Sequence, residues 1–207
     1  MAEPVEAVLF DFGGVLSTSP FDAFERHEQS LGMAPGFIRS LNAANHHDNA
    51  WARLERNEVD FDQFCDDFEA EAVAAGGRVD ARVLFATMSG EMRPVMLEAV
   101  RRCHEHFKTG LLTNNFITPT TTARHHDVFA LFDVVVQSAR VGLRKPDPAF
   151  YLLACRELKI EPTAAVFLDD LGVNLKPARA LGMRTIKVVD PTVALIELEA
   201  VVGIPLR

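Results

Sequence analysis

Asp11 closes an apolar run, Val8-Leu9-Phe10, and Phe12, Gly13 and Gly14 follow before apolar residues resume at Val15 and Leu16. A carboxylate at the end of such a run reads as a side chain that a buried strand delivers to the rim of a sheet, where open α/β sheets hold their ligands. The two glycines permit backbone conformations and close approaches that a side chain would block. A carboxylate placed this way can attack phosphorus and form an aspartyl phosphate. A strand-ending Asp before a glycine turn has the same local pattern, so the rest of the chain must decide between the two readings.

Three more polar stations recur at strand ends or in the loops after them. Thr113-Asn114-Asn115 follows Leu111-Leu112, Lys145 lies in the loop from Gly142 to Pro148, and Asp169-Asp170 ends the run from Ala164 to Leu168. In a parallel sheet these ends share one rim. Two carboxylates there make an oxygen-rich pocket suited to Mg²⁺, which takes few protein ligands beside phosphate and water. Thr113 offers a hydroxyl, and nearby backbone N–H groups can hold phosphate oxygens. Lys145 offers a point charge to a phosphate or to the nucleophile.

The elements that must position these residues alternate. Strands are expected at Val8–Phe10, Leu111–Leu112, Val134–Val136, Ala164–Leu168 and Thr185–Val189. Helices are expected at Arg93–Phe107, Thr121–Leu131, Pro148–Leu158, Gly172–Leu181 and Val193–Val202. This alternation implies a parallel sheet covered on both faces. Between Phe21 and Gly90 only helical patterns occur. Phe21, Phe24 and His27 recur at helical spacing, Pro35 can open a second helix, and Ala50–Glu58 carries Trp51 and Leu54. Asp60 can cap a helix through Phe61, Phe64, Phe68 and Ala72, with Gly76-Gly77 as its stop, and Asp80–Met88 adds another. The fold class is therefore α/β, a Rossmann-like parallel core over 1–16 and 92–207 with an inserted α-helical cap over 17–91.

With 207 residues, 48% hydrophobic and 24% charged, the chain can bury a core. Its formal net charge of -8 disfavours binding to a phosphate backbone, so no nucleic-acid partner is expected. No apolar run reaches membrane-spanning length and the acidic N-terminus lacks a signal core, so no membrane partner is expected either. Cys65, Cys103 and Cys155 form no Cys-x-x-Cys pair and suggest reduced thiols in the cytoplasm.

Four motifs in order give the chain a family likeness. Asp11-Phe12-Gly13-Gly14-Val15, Thr113-Asn114-Asn115, Lys145-Pro146-Asp147-Pro148 and Phe167-Leu168-Asp169-Asp170-Leu171-Gly172-Val173-Asn174 resemble the four motifs of the haloacid dehalogenase superfamily. The insert between the first and second resembles the subfamily with a helical cap. Trp51-Ala52-Arg53-Leu54-Glu55-Arg56 and Leu168 to Lys176 are closer still to the phosphatase domain of mammalian soluble epoxide hydrolases and the related domain fused to some acyl-CoA dehydrogenases. The resemblance implies a Mg²⁺-dependent phosphatase acting on a small phosphorylated substrate. Asp11 would be the nucleophile and a metal ligand. Thr113 and Lys145 would be catalytic, with Asn114 and Asn115 binding substrate. Asp170, rather than Asp169, would be the second ligating acid, Asn174 would help through water, and Gly13 would lend its backbone carbonyl. The resemblance leaves the oligomeric state open.

Gly13 is also the departure from the family pattern. Most phosphatases of the family carry Asp there, which protonates the leaving alcohol and then activates water. General acid–base help of that kind is worth about 10²–10⁴-fold. A surrogate group, a good leaving group such as that of an anomeric sugar phosphate or an acyl phosphate, or a domain that binds ligands or partners without turnover would each account for the glycine. A haloacid dehalogenase would also lack the second Asp, but those relatives typically carry an aromatic residue there, and Asp169-Asp170 suits a cation. Asp11-Phe12-Gly13 mimics the kinase metal motif without the other kinase motifs. His104-Glu105-His106 and His125-His126 lack zinc spacing and read as solvated helix faces. His46 and His47, in the cap, could reach over the site as a surrogate acid. Arg140 and Arg144 flank Lys145 and read as surface residues.

Overall fold

The computed structural model describes residues 3–88, 90–117 and 126–207. In chain order β1 (Ala7–Phe10) is followed by a tight turn over Phe12–Leu16. Five helices come next: α1 (Pro20–Ser30), α2 (Phe37–Ala43), α3 (Ala50–Glu55), α4 (Phe61–Ala74) and α5 (Ala81–Thr87). Then come α6 (Pro94–His104), β2 (Lys108–Thr113), α7 (His126–Phe129), β3 (Val134–Gln137) and α8 (Ser138–Val141). The chain ends with α9 (Pro148–Leu158), β4 (Ala165–Asp169), α10 (Gly172–Ala180), β5 (Arg184–Lys187) and α11 (Pro191–Val202).

The five strands form one parallel sheet in the order β3-β2-β1-β4-β5. All four residues of β1 are fully buried, which is why Ala-Val-Leu-Phe shows no polar alternation. Val8 and Phe10 face one apolar layer with Met96 of α6 and Leu195 of α11. Ala7 and Leu9 face the other, with Phe150 of α9 and Leu175 of α10. Phe10 pairs with Leu111 and Leu168, so the next residue emerges in mid-sheet between the ends of β2 and β4. The Asp11 N–H continues the ladder, donating to the Leu168 carbonyl at 2.9 Å.

Three expectations need correction. β2 begins at Lys108, earlier than its apolar residues suggest. Thr109 is fully buried because its N–H and hydroxyl both donate to Asp133 Oδ2, at 2.7 and 3.2 Å, a tertiary contact that a search for apolar runs overlooks. Ser138–Val141, unassigned between the expected strand and the loop from Gly142, forms a helical turn closed by Gly142 in the left-handed region (φ 68°). β5 spans Arg184–Lys187, so Val188 and Val189 fall outside it. Of the helix expected at Thr121–Leu131, residues 121–125 lie outside the described residues, and α7 covers His126–Phe129.

The segment between β1 and α6 contains helices and no strand among its described residues, and it packs around Trp51. The Trp51 ring stacks on Phe85 at 5.2 Å and meets Phe64 edge-on at 4.9 Å. Ser19, Asn49, Asp60 and Asp80 each cap a helix by accepting a backbone N–H bond, four local reasons for helices to start where they do. The chain leaves and re-enters the sheet layer side by side: Thr18 N–H donates to the Glu91 carbonyl at 2.9 Å and Arg93 N–H to the Leu16 carbonyl at 2.8 Å.

Trp51 is the only tryptophan, so its fluorescence reports this helical cluster. Phe64 is fully buried against it. Phe64→Ala is expected to cost about 3–5 kcal/mol and to move the Trp51 transition to lower denaturant. An unchanged midpoint would mean that this aromatic cluster does not hold the helices together.

Candidate active site

Asp11 stands at the carboxyl end of the central strand with only 8% of its surface exposed. Its Oδ1 accepts the Phe12 N–H at 2.7 Å and pairs with Lys145 Nζ at 2.7 Å; Oδ2 carries neither bond. The same ammonium donates to Asp169 Oδ2 at 2.7 Å and is itself 1% exposed. Lys145 is thus a buried cation between two carboxylates. Burial by itself would lower its pKa, but Asp11 and Asp169 outweigh that and hold it above the ordinary lysine value.

One side chain positions this lysine directly and its neighbour braces the loop. Asn114, just past β2, accepts the Lys145 N–H on Oδ1 at 2.8 Å and donates Nδ2 to the Lys145 carbonyl at 3.0 Å. Asn115 ties the same loop to β3, its N–H donating to Ser138 Oγ at 2.9 Å and its Nδ2 to Gln137 Oε1 at 3.0 Å. Both side chains are therefore engaged in building the rim. Thr113 is buried at the end of β2.

The adjacent acids of β4 divide their work. Asp169 is saturated: besides Lys145 it accepts the Leu171 N–H at 2.8 Å and Asn174 Nδ2 on both oxygens, at 3.1 and 3.0 Å. Asn174 thus braces Asp169, and Tyr151 Oη in turn donates to the Asn174 carbonyl at 2.7 Å. Asp170 takes none of these bonds. Its carboxylate lies over Gly14, where a Cβ would come within 2.3 Å of Oδ2, and Gly14 sits at φ 76°. Only glycine meets both conditions. Gly13 is different: at φ -69° and ψ 130° any residue is accommodated, and a Cβ would meet only Pro20, at 3.4 Å.

Oxygens of Asp11, Asp169 and Asp170 lie within 4.8 Å of one another, and no other His, Cys, Asp or Glu group among the described residues is arranged to hold a metal. Three carboxylates around one ammonium leave excess negative charge. Burial pushes the Asp11 pKa well above the ordinary carboxylate range; Lys145 pulls it back, while Asp169 and Asp170 push it up again. Burial, then Asp169, raises Asp170 to about 6. Such a cluster suits a divalent cation, and the hollow left by Gly14 seats one of its carboxylates.

These residues open on a cavity of about 540 Å³, roofed from the helical segment by aromatic and apolar side chains including Phe21, Phe24, Trp51 and Met88. Sequence reasoning missed one cross-link here. Arg144 is only 18% exposed at its side chain and pairs with Glu55 at the end of α3, Nε to Oε2 at 2.7 Å, while its Nη1 donates to the His46 carbonyl at 2.8 Å. Arg140, by contrast, is exposed. The position of Arg144 beside Lys145 was the only signal of the cross-link, since its partners lie about ninety residues away.

The sequence model for haloacid dehalogenase-like hydrolases matches residues 5–182. The chain belongs to that family. Mouse acyl-CoA dehydrogenase family member 10 is 35% identical over 212 residues, 97% of this chain and 19% of the mouse protein. Pig bifunctional epoxide hydrolase 2 is 33% identical over 219 residues, 98% of this chain and 40% of the pig protein. The chain therefore spans a fifth to two fifths of these relatives. Sesquiterpene phosphatase astK of Aspergillus oryzae, 26% identical, is covered completely by 98% of this chain. A crystal structure of a family enzyme from Bacteroides thetaiotaomicron, in complex with magnesium and inorganic phosphate, superposes with TM-score 0.62 at 18% identity over 88% of this chain and 93% of that one. These likenesses establish a hydrolase with the family's Rossmann-like fold.

Removing Lys145 strands two buried carboxylates. Lys145→Met in chelator is expected to cost about 3–5 kcal/mol at neutral pH. A carboxyl group whose folded pKa exceeds its unfolded value binds its proton more tightly when folded, so stability falls as pH rises through that window. The deficit should therefore shrink between pH 7 and pH 5 in denaturant titrations. A deficit that grows toward acid would show that the carboxylates are not the source.

Proposed function

We propose that the chain is a Mg²⁺-dependent phosphomonoesterase working through an aspartyl phosphate on Asp11. One observation carries this reading: a buried lysine holds a strand-end carboxylate by one oxygen at the rim of a cavity, with a second acid, Asp170, beside it. Asp11, Asp170 and the Gly13 carbonyl would hold the ion, with Asn174 acting through water. Bound there, Mg²⁺ neutralises charge on the phosphoryl group.

The chain's own residues supply the rest. Asp11 attacks phosphorus through the oxygen not committed to Lys145 and Phe12. Lys145 keeps Asp11 oriented and offsets charge that builds on the transferring group. The Thr113 hydroxyl and the Asn114 N–H bind phosphoryl oxygens; Asn115, expected to bind substrate, has its N–H committed to Ser138 Oγ and shapes the loop instead. The helical segment acts as a cap, excluding water and choosing the leaving group. The aromatic side chains in the roof, Phe21, Phe24 and Trp51, favour an ester with a hydrophobic body, in keeping with the name of the fungal relative. The three buried, unpaired cysteines fit a reducing, cytoplasmic compartment.

Hydrolysis of para-nitrophenyl phosphate with Mg²⁺ tests the reading. Asp11→Asn and chelation should each abolish it. Persistent activity in Asp11→Asn would remove the nucleophile from this site, and a wild type that binds Mg²⁺ without turnover would mark a ligand-binding domain. Because Gly13 has room and ordinary backbone angles, Gly13→Asp should fold and raise turnover of alkyl phosphates. A fall would show that an acid at that position is not what limits the enzyme.

A further inference from the structure

We infer that His46 supplies the proton transfers that Gly13 cannot, an assignment that rests on the phosphomonoesterase reading above. Among the described residues, the protonatable side chains lining the cavity are Asp11, Asp170, Lys145, Glu55 and His46; its arginines, Arg39 and Arg144, keep their protons at working pH. Asp11 is the nucleophile, Lys145 is locked between carboxylates, and Asp170 belongs to the metal cluster. Glu55 has an oxygen committed to Arg144 at 2.7 Å. His46 remains. It is exposed, it lines the cavity, and among the described residues its ring nitrogens take no hydrogen bond; its ring lies against that of His47, at a centroid distance of 4.0 Å. An imidazole both gives and takes a proton near neutral pH.

The loop bearing His46 is built rather than loose. Asn45 turns the chain at φ 44°, a conformation Asn tolerates better than most residues. The buried Asn49 side chain donates to the carbonyls of Asn42 and Ala44, both at 3.0 Å, and accepts the Ala52 N–H at 2.8 Å. Arg56 donates to the His47 carbonyl at 2.7 Å. Arg144 donates to the His46 carbonyl at 2.8 Å, and its neighbour in the chain is the lysine that holds the nucleophile. Three side chains fix an exposed turn over the cavity, and one of them belongs to the active-site loop. A solvated turn with no task needs no such clamp.

In the first step Asp11 forms a bond to phosphorus as the P–O bond to the alcohol breaks, and the departing oxygen takes the proton of the His46 imidazolium. In the second, neutral His46 removes a proton from water as that water's oxygen attacks phosphorus. The bond to Asp11 breaks, inorganic phosphate leaves, and the carboxylate and imidazolium are restored.

Leaving-group dependence tests this. A nitrophenolate leaves without a proton, whereas an alkoxide does not, and kcat/KM reports only steps through alcohol release. His46→Gln should lower kcat/KM for hexyl phosphate about 10²-fold or more and that for para-nitrophenyl phosphate at most a few-fold. His47→Gln should keep both. Adding Gly13→Asp to His46→Gln should restore the alkyl ester by returning a carboxylate to the site. Equal losses on the two esters, or loss on neither, would overturn the assignment. A wild type that hydrolyses neither ester would instead sink the phosphomonoesterase reading beneath it.

Discussion

The site depends on one buried ammonium. Lys145 Nζ lies 2.7 Å from a carboxylate on each of two adjacent strands, β1 and β4. Removing a charge from water costs several kcal/mol, and only partners of opposite sign at contact distance make that tolerable. The constraint runs in both directions. Asp11 and Asp169 are oriented in a buried rim by the lysine, and the lysine is held because Asn114 clamps its backbone from both sides.

From that pair the surroundings follow. Asp169 is saturated by Lys145, Asn174 and the Leu171 N–H, so the second acid of the pair is left for chemistry. Asp170 reaches its place only over a residue without a side chain, and Gly14 provides it. The two neighbouring glycines thus have unlike meanings. Gly14 is demanded by sterics. Gly13 is not, since its backbone and surroundings accept a side chain.

The helical segment joins this arrangement through Arg144. Its guanidinium binds Glu55 and the His46 carbonyl, while the next residue binds Asp11. Helices that carry their own aromatic cluster around Trp51 are thereby coupled at one point to the charged rim. The roof of the cavity mixes aromatic side chains, Phe21, Phe24 and Trp51, with polar ones, Arg39, His46 and Glu55, and faces the ionic group of Asp11, Lys145 and Asp170.

Much of this is legible in the order of residue types. The apolar run ending at Asp11, the strand–helix alternation after Pro94, the capping residues Asp60 and Asp80 and the four polar stations all act through local chemistry, and local chemistry is written along the chain. What depends on distant partners could not be read there. Thr109 is a strand residue because Asp133 satisfies it. Asp169 differs from Asp170 only through which one meets Lys145 and Asn174. Arg144 looks like a surface cation until Glu55 and His46 are folded against it. The sequence by itself determined the sheet, its helical insert and the chemical inventory of the rim. The tertiary structure decided which charges neutralise one another and which remain for a ligand, because electrostatic pairing depends on distances of a few ångströms across residues that lie far apart in the chain.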